Sequence, residues 1–389
     1  MTAWRRPGEG IVAWICAGVA VGVGFIAMIA SQDGFPHPSA LVKIASNDPI
    51  AALARSSDQH FRFVTAVEHY DGTYYYAMAR DPFLLGKAHT LIDQPAYRYG
   101  HPLHGWLAGL LSFGQASLVP LALLLLGLIG LGVSGWAASR IAVHYGRTAY
   151  GGLLIAVSPG LLYVATIDTT ETVGVALTAL TLLAWIRERF ILAGLLIILL
   201  CFDKEQYMMV LLGLVLWELV GSRRRRDRRW YIARVRVKLA AVLTGPLLLS
   251  AWYLYVHARL HAWPWPYESG NFGAPFAGWI DTFRFAHRLS SGSFEQAQIG
   301  SATPPTLVAI AVLVVLGALA ALRMRTVLDG PMLGLAVFTS MQGWRTLLYT
   351  HDPLRTTVVA VLFAVAVLLT RGRESGPEAP PSEPVTTPS

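Results

Sequence analysis

The chain alternates apolar runs of membrane-spanning length with short polar segments, and this alternation closes off most folds otherwise open to 389 residues. A hydrocarbon layer about 30 Å thick takes about 20 apolar residues of helix to cross, and it offers no water to an exposed strand edge or an irregular backbone. The runs fall at 11–30, 116–138, 150–166, 171–186, 190–202, 206–220, 239–257, 305–322, 331–347 and 354–370, several of them short enough to need interfacial help. Only 14% of residues are charged against 54% hydrophobic, too few charges to cover a soluble globule of this size. The pattern predicts an all-α polytopic membrane protein of about ten transmembrane helices. The first run follows Arg5 and Arg6 as a signal peptide would, but it is long for one. Met28 also stands where cleavage wants a small residue, so the run reads as an uncleaved first helix.

The net charge of +8 would suggest a nucleic-acid partner in a soluble protein, yet 19 of the 31 Lys and Arg residues lie in one alternate set of loops. Nine of them fall in 221–238 alone. That asymmetry orients the chain with both ends in the cytoplasm, and no nucleic acid is implied. The opposite loops include two long ones, 31–115 and 258–304, and the outside set carries 15 of the 23 acidic residues. Asp and Glu have little effect on insertion, so this second asymmetry points to function on the outer face. Cys16 and Cys201 lie in or beside apolar runs and show neither disulfide nor metal-ligand spacing. The Pro-, Ser- and Glu-rich stretch 372–389 predicts a disordered cytoplasmic tail after an integral membrane unit, 1–371.

Within the first long loop, Asn47-Asp48-Pro49 announces a short helix by the cap-then-proline rule. Asp71 precedes a further helical turn in His69-Tyr70-Asp71-Gly72-Thr73-Tyr74-Tyr75-Tyr76. From its position alone it reads equally as an N-cap or as a carboxylate with a chemical task. Leu103, Trp106, Leu107, Leu110 and Leu111 follow helical spacing with His101, His104 and Gly105 on the other face, and the run is too short to span. It predicts an amphipathic helix lying in the outer interface.

Tyr70-Asp71-Gly72, Tyr74-Tyr75-Tyr76, Ala79-Arg80-Asp81-Pro82 and Gln94-Pro95-Ala96-Tyr97-Arg98-Tyr99, followed by that helix, resemble the first outside loop of GT-C type glycosyltransferases, particularly the bacterial, mannosyltransferase-like members. Asp203-Lys204-Glu205 resembles the family's Lys-Glu pair at the outer mouth of a later helix, and the resemblance covers about the first 210 residues. Gly100-His101-Pro102 departs from the family pattern, which carries an arginine soon after this Tyr-Arg. The resemblance implies an inverting transfer of a sugar, mannose-like or a pentose, from a polyprenyl-phosphate donor to a glycan, lipid or protein acceptor of the cell envelope. Such a transfer takes place on the outer face of a bacterial plasma membrane. It assigns Asp71 as the base. For substrate it points to Arg98, Lys204 and Arg355 at the phosphate, His69 and Tyr75 at sugar hydroxyls, and Asp168, Glu171, Glu205 and His351 around them. It makes no cofactor certain, and a divalent metal is compatible with the chemistry.

Two other readings stay open at this point. Asp168, Glu171, Asp203 and Lys204 could mark a transporter's path, although they cluster at one face and no inverted repeat is visible. Gly132-Val133-Ser134-Gly135 matches the G-x-S-G pattern of rhomboid proteases, but no histidine lies in the interior of a later run to activate Ser134, His257 standing at the very end of one.

Overall fold

A computed structural model describes residues 7–32, 34–224, 228–265, 270–349 and 351–371. Most of the described residues are helical, and they contain no strand. After α1 (Pro7–Ala30), the first long loop carries α2 (Pro38–Leu41), α3 (Ala51–Ser57), α4 (Gly72–Arg80), α5 (Pro95–Arg98) and α6 (Leu103–Leu111). Then follow α7 (Val119–His144), α8 (Leu153–Ala156), α9 (Pro159–Ala165), α10 (Glu171–Ile186), α11 (Phe190–Asp203), α12 (Gln206–Arg224) and α13 (Arg228–Leu260). The last part comprises α14 (Ala277–Leu289), α15 (Phe294–Ala321), α16 (Asp329–Ser340), α17 (His351–Thr356) and α18 (Val358–Thr370).

Four stretches, Gly8–Ala30, Ala116–His144, Arg236–Leu260 and Gln296–Ala321, are long and apolar enough to cross a membrane, and Glu171–Ile186, Phe190–Asp203, Gln206–Val220 and Val358–Thr370 are shorter apolar helices. The protein is therefore a membrane-associated, α-helical one. Its helices pack in a chain of neighbours: α1 on α7, α7 on α10, α10 on α11, α11 on α13, α12 on α16, and α15 on α18. Small residues let the backbones approach. A Cβ at Gly135 would sit 3.0 Å from the Cys16 carbonyl oxygen, so the G-x-S-G stretch of α7 serves as a seat for α1.

Three sequence expectations change. The run 150–166 is not one helix but a 3-10 turn followed by α8 and α9, broken at Ser158. Ser158 is extended (φ −78°, ψ 107°) because the ring of Pro159 disfavours helical backbone before it. The run 331–347 likewise ends as α-helix at Ser340, leaving Gln342 and Gly343 as a short link to a 3-10 turn, Trp344–Thr346, that carries Arg345. Within the second long loop the chain forms α14, which the apolar runs did not announce. The expected tail, 372–389, lies outside the described residues.

Helix α6, expected to lie in the outer interface, has the two faces its sequence suggests. Leu110 (72% exposed) points away from the protein, whereas His104, Gly105 and Ala108 are buried. A Cβ at Gly105 would lie 3.0 Å from the Tyr75 carbonyl oxygen, so only a bare backbone lets α6 lie directly on α4.

Candidate active site

The first turn of α4 is held by contacts that glycine alone permits. A Cβ at Gly72 would lie 2.6 Å from the Val42 carbonyl oxygen and 2.8 Å from that of Ile167, which pins the residue before it, Asp71, between two loops. Asp71 occupies the N-cap position of α4, yet its side chain makes no capping hydrogen bond. The carboxylate turns to cations instead. Arg355 donates from Nη1 to Oδ2 at 2.6 Å, and Arg98 donates from Nη1 to Oδ1 at 3.4 Å.

Each guanidinium is positioned in turn. Arg98, in the last turn of α5, lies over the face of Tyr74 with its Cζ 3.6 Å from the ring centroid, and its Nε is 3.4 Å from Asp93 Oδ1. Arg355 lies over Tyr70 at 4.8 Å and places Nε 3.9 Å from Glu171 Oε1. One turn earlier on α17, Asp352 accepts a short hydrogen bond from the Tyr70 hydroxyl. Two side chains of α17 thus grip two consecutive residues from far earlier in the chain. Glu171, fully buried, also accepts from Lys204 Nζ at 2.6 Å. Arg98, Asp71, Arg355, Glu171 and Lys204 therefore alternate in sign along one line of contacts.

These groups border a cavity of about 220 Å³ lined by Asp71, Tyr74, Tyr75, Tyr97, Arg98, Lys204, Glu205 and Arg355. From the C-terminal part Gln342, Arg345 and Asp352 join them, with Phe272 and Phe338. The first residue of α12, Gln206, and the residue preceding α4 lie at the wall, so the positive ends of two helix dipoles add to the cationic side chains. The arrangement suits an anion. It also fixes protonation: burial alone would raise the Asp71 carboxyl, but the guanidiniums of Arg355 and Arg98 hold it well below the ordinary carboxylate range. Burial would likewise raise Glu205, and the His101 ring, with Nε2 3.1 Å from Oε1, brings it down to about 2. Behind Tyr75, His104 packs edge-on at 4.9 Å, and burial pushes it down to about 4, so it is neutral at neutral pH.

Of the residues singled out in the sequence, Asp71, Tyr75, Arg98, Lys204, Glu205 and Arg355 line the cavity. Glu171 stands one layer behind, tying Lys204 to Arg355. The remaining three lie elsewhere. His69 pairs through Nδ1 with Asp48 Oδ2 at 2.7 Å and packs against Tyr74, so it braces the wall without reaching the cavity. Asp168 sits at a left-handed turn (φ 46°) that faces Lys43, and burial raises its carboxyl well above the ordinary value. His351 packs at a tilt against Tyr163, ring centroids 4.8 Å apart, beside Asp352. The second half of the loop motif is architectural: Asp81 accepts from the backbone N–H groups of Leu85 and Gly86, both at 2.8 Å, and from His89.

Gln342, Arg345 and Asp352 were missed as cavity residues, the first two because 331–347 reads as one apolar span. The run of Gln342, Gly343 and Arg345 at its end was the signal that the helix had stopped. Among the described residues, no group of three or more His, Cys, Asp or Glu side chains is arranged to hold a metal ion. Compared with family models, with curated proteins and with solved structures, the chain matches none at a significant level.

Proposed function

We propose that the protein is an inverting membrane glycosyltransferase of GT-C type, which moves a sugar from a polyprenyl-phosphate donor to a cell-envelope acceptor on the extracytoplasmic face of a bacterial plasma membrane. The observation that carries this reading is the Asp71 carboxylate held between Arg355 and Arg98 at the wall of a cavity that also contains Lys204. A carboxylate beside three cations is what glycosyl transfer from a lipid phosphate asks for: a group to accept the acceptor's proton and fixed positive charge where the phosphate departs.

In the step this geometry supports, the acceptor hydroxyl oxygen bonds to the anomeric carbon from the face opposite the phosphate. The bond from that carbon to the phosphate oxygen breaks with its electron pair, and polyprenyl phosphate leaves. Asp71 takes the hydroxyl proton. In the free protein both oxygens of Asp71 are engaged by guanidinium, which makes it a weak base. A donor phosphate competes for the same guanidiniums, and as Arg355 and Arg98 turn to it the carboxylate loses its counter-charges and gains basicity. The base is thus strengthened by the substrate it serves. Asn271, Gln206 and Gln342 supply uncharged polar groups on the remaining wall, suited to sugar hydroxyls.

We also propose ten membrane crossings with both ends cytoplasmic, the broken segment of α8 and α9 counting as one. Among the six shorter or interrupted crossings, α10 brings Glu171 behind the cavity and α12 brings Gln206 to its wall. Reporter fusions after Arg147 and Arg373 then read cytoplasm and one at Ser290 reads the outside, and a cytoplasmic result at Ser290 removes this topology. For the activity itself, the purified protein in lipid is given a radiolabelled polyprenyl-phosphate-sugar and a membrane extract as acceptor. Label leaves the lipid phosphate on this reading. Label that crosses the bilayer still attached to its lipid points instead to a transporter.

A further inference from the structure

At the end of the bundle remote from Asp71 lies a second cavity, of about 420 Å³, between α7, α8, α10 and α18. Its walls are apolar over most of their extent, with small residues such as Ala138, Ala179 and Ala366 setting its width. The polar groups at depth are the hydroxyls of Ser134 and Thr178. Arg147, in the turn after α7, stands at the mouth beside Thr148 and Thr370. Its side chain is partly buried, its Nε has no hydrogen-bond partner, and no acidic side chain pairs with it among the described residues. Arg140, Arg187 and Arg189 lie at the same end of the bundle, close enough for their charges to act on one another. Arg371, by contrast, is neutralised by Asp329 at 2.9 Å.

We infer that this cavity binds an anionic glycerophospholipid, with one acyl chain between α7, α10 and α18 and the phosphate on Arg147. The cavity lies between apolar helices that the sequence reads as membrane-spanning, where a lipid chain is the solvent. An unpaired, half-buried guanidinium at the mouth of an apolar cavity calls for a fixed negative charge, and basic recesses between membrane helices are where anionic headgroups lodge. A neutral lipid would fill the slot but leave Arg147 without a counter-charge. The polyprenyl donor does not suit it, because the cations that would hold its phosphate are at the other end of α10. This site does not depend on the glycosyl-transfer reading.

The test is native mass spectrometry of the detergent-purified full chain after stripping, with dioleoyl phosphatidylglycerol or dioleoyl phosphatidylcholine added back. The wild type retains one phosphatidylglycerol with about fivefold preference over phosphatidylcholine, the effect of about one arginine at an anionic headgroup. Arg147→Gln abolishes that preference but still retains either lipid. Ala366→Phe, which fills the slot, loses retention of both. Since Ala366→Phe could fail to fold, Arg147→Gln at the rim serves as the independent arm. No retention by the wild type overturns the inference. So does unchanged preference in Arg147→Gln, or unchanged retention in folded Ala366→Phe, either of which would mean annular lipid only.

Discussion

The two ends of the bundle are built on opposite principles. Around Asp71 the helices stop short, and their ends and connecting loops deliver charged and aromatic side chains to a cavity where the ion pairs interlock. At the other end α7 continues to His144, and α10 and α18 enclose a cavity that is larger and mostly apolar. Only the smaller cavity brings together a carboxylate, several cations and hydrogen-bonding groups. The larger of the two is the poorer in chemistry, so charge arrangement rather than volume makes the smaller one the candidate site.

The largest expected effect comes from Asp71→Asn. An amide keeps the shape and loses the basicity, so transfer from a polyprenyl-phosphate-sugar falls by about 10²–10⁴ while detergent gel filtration shows an unchanged folded peak. Because Asp71 makes no capping bond, loss of a cap cannot account for such a fall. Near wild-type turnover would remove Asp71 as the base.

A middle-sized effect separates the counter-ion role of Arg355 from a purely structural one. Arg355 holds the Asp71 carboxyl low, so in the free wild-type protein Asp71 is ionised across the ordinary pH range, and the stabilisation from the pair is lost only in acid. Arg355→Gln removes that positive charge and moves the carboxyl upward. The acid limb of kcat/KM therefore shifts to higher pH in the variant. An unmoved acid limb, whatever the loss in rate, would show that Arg355 does not set the charge on Asp71.

Gly72→Ala tests the backbone seat of the cavity. The added Cβ meets two carbonyl oxygens at under 3 Å, and overpacking of this kind costs about 1–3 kcal/mol, read as a lower melting temperature in detergent. The smallest effect belongs to the other end. Thr178→Val deletes a buried hydroxyl that has no hydrogen-bond partner, so stability holds or rises slightly and transfer is unchanged. A large loss of transfer in Thr178→Val would erase the contrast between the two ends.

The sequence made the apolar segments legible because a hydrocarbon solvent leaves few alternatives, and it failed where a run was interrupted without losing its hydrophobicity. Pro159 breaks 150–166 with a single residue, and apolar residues carry on past Ser340 after the helix has ended. The site was legible where one loop concentrates its chemistry, as Tyr70-Asp71-Gly72 and Tyr97-Arg98 do. Arg355 could be picked out because few other outside cations lie at helix mouths. Gln342 and Arg345 could not, since only tertiary packing brings that loop to α4. Asp168 and Glu171 are three residues apart and looked alike in sequence. A left-handed turn at Asp168 points one toward Lys43, while the start of α10 delivers the other to Lys204 and Arg355.

The account rests on Asp71 acting as a base in a single displacement at the anomeric carbon. The most direct measurement is the anomeric configuration of the product, read by proton NMR after transfer from a polyprenyl-phosphate-sugar of defined configuration. The predicted product carries the inverted configuration. A retained configuration would make the carboxylate a nucleophile or place the chemistry elsewhere, and would contradict the account.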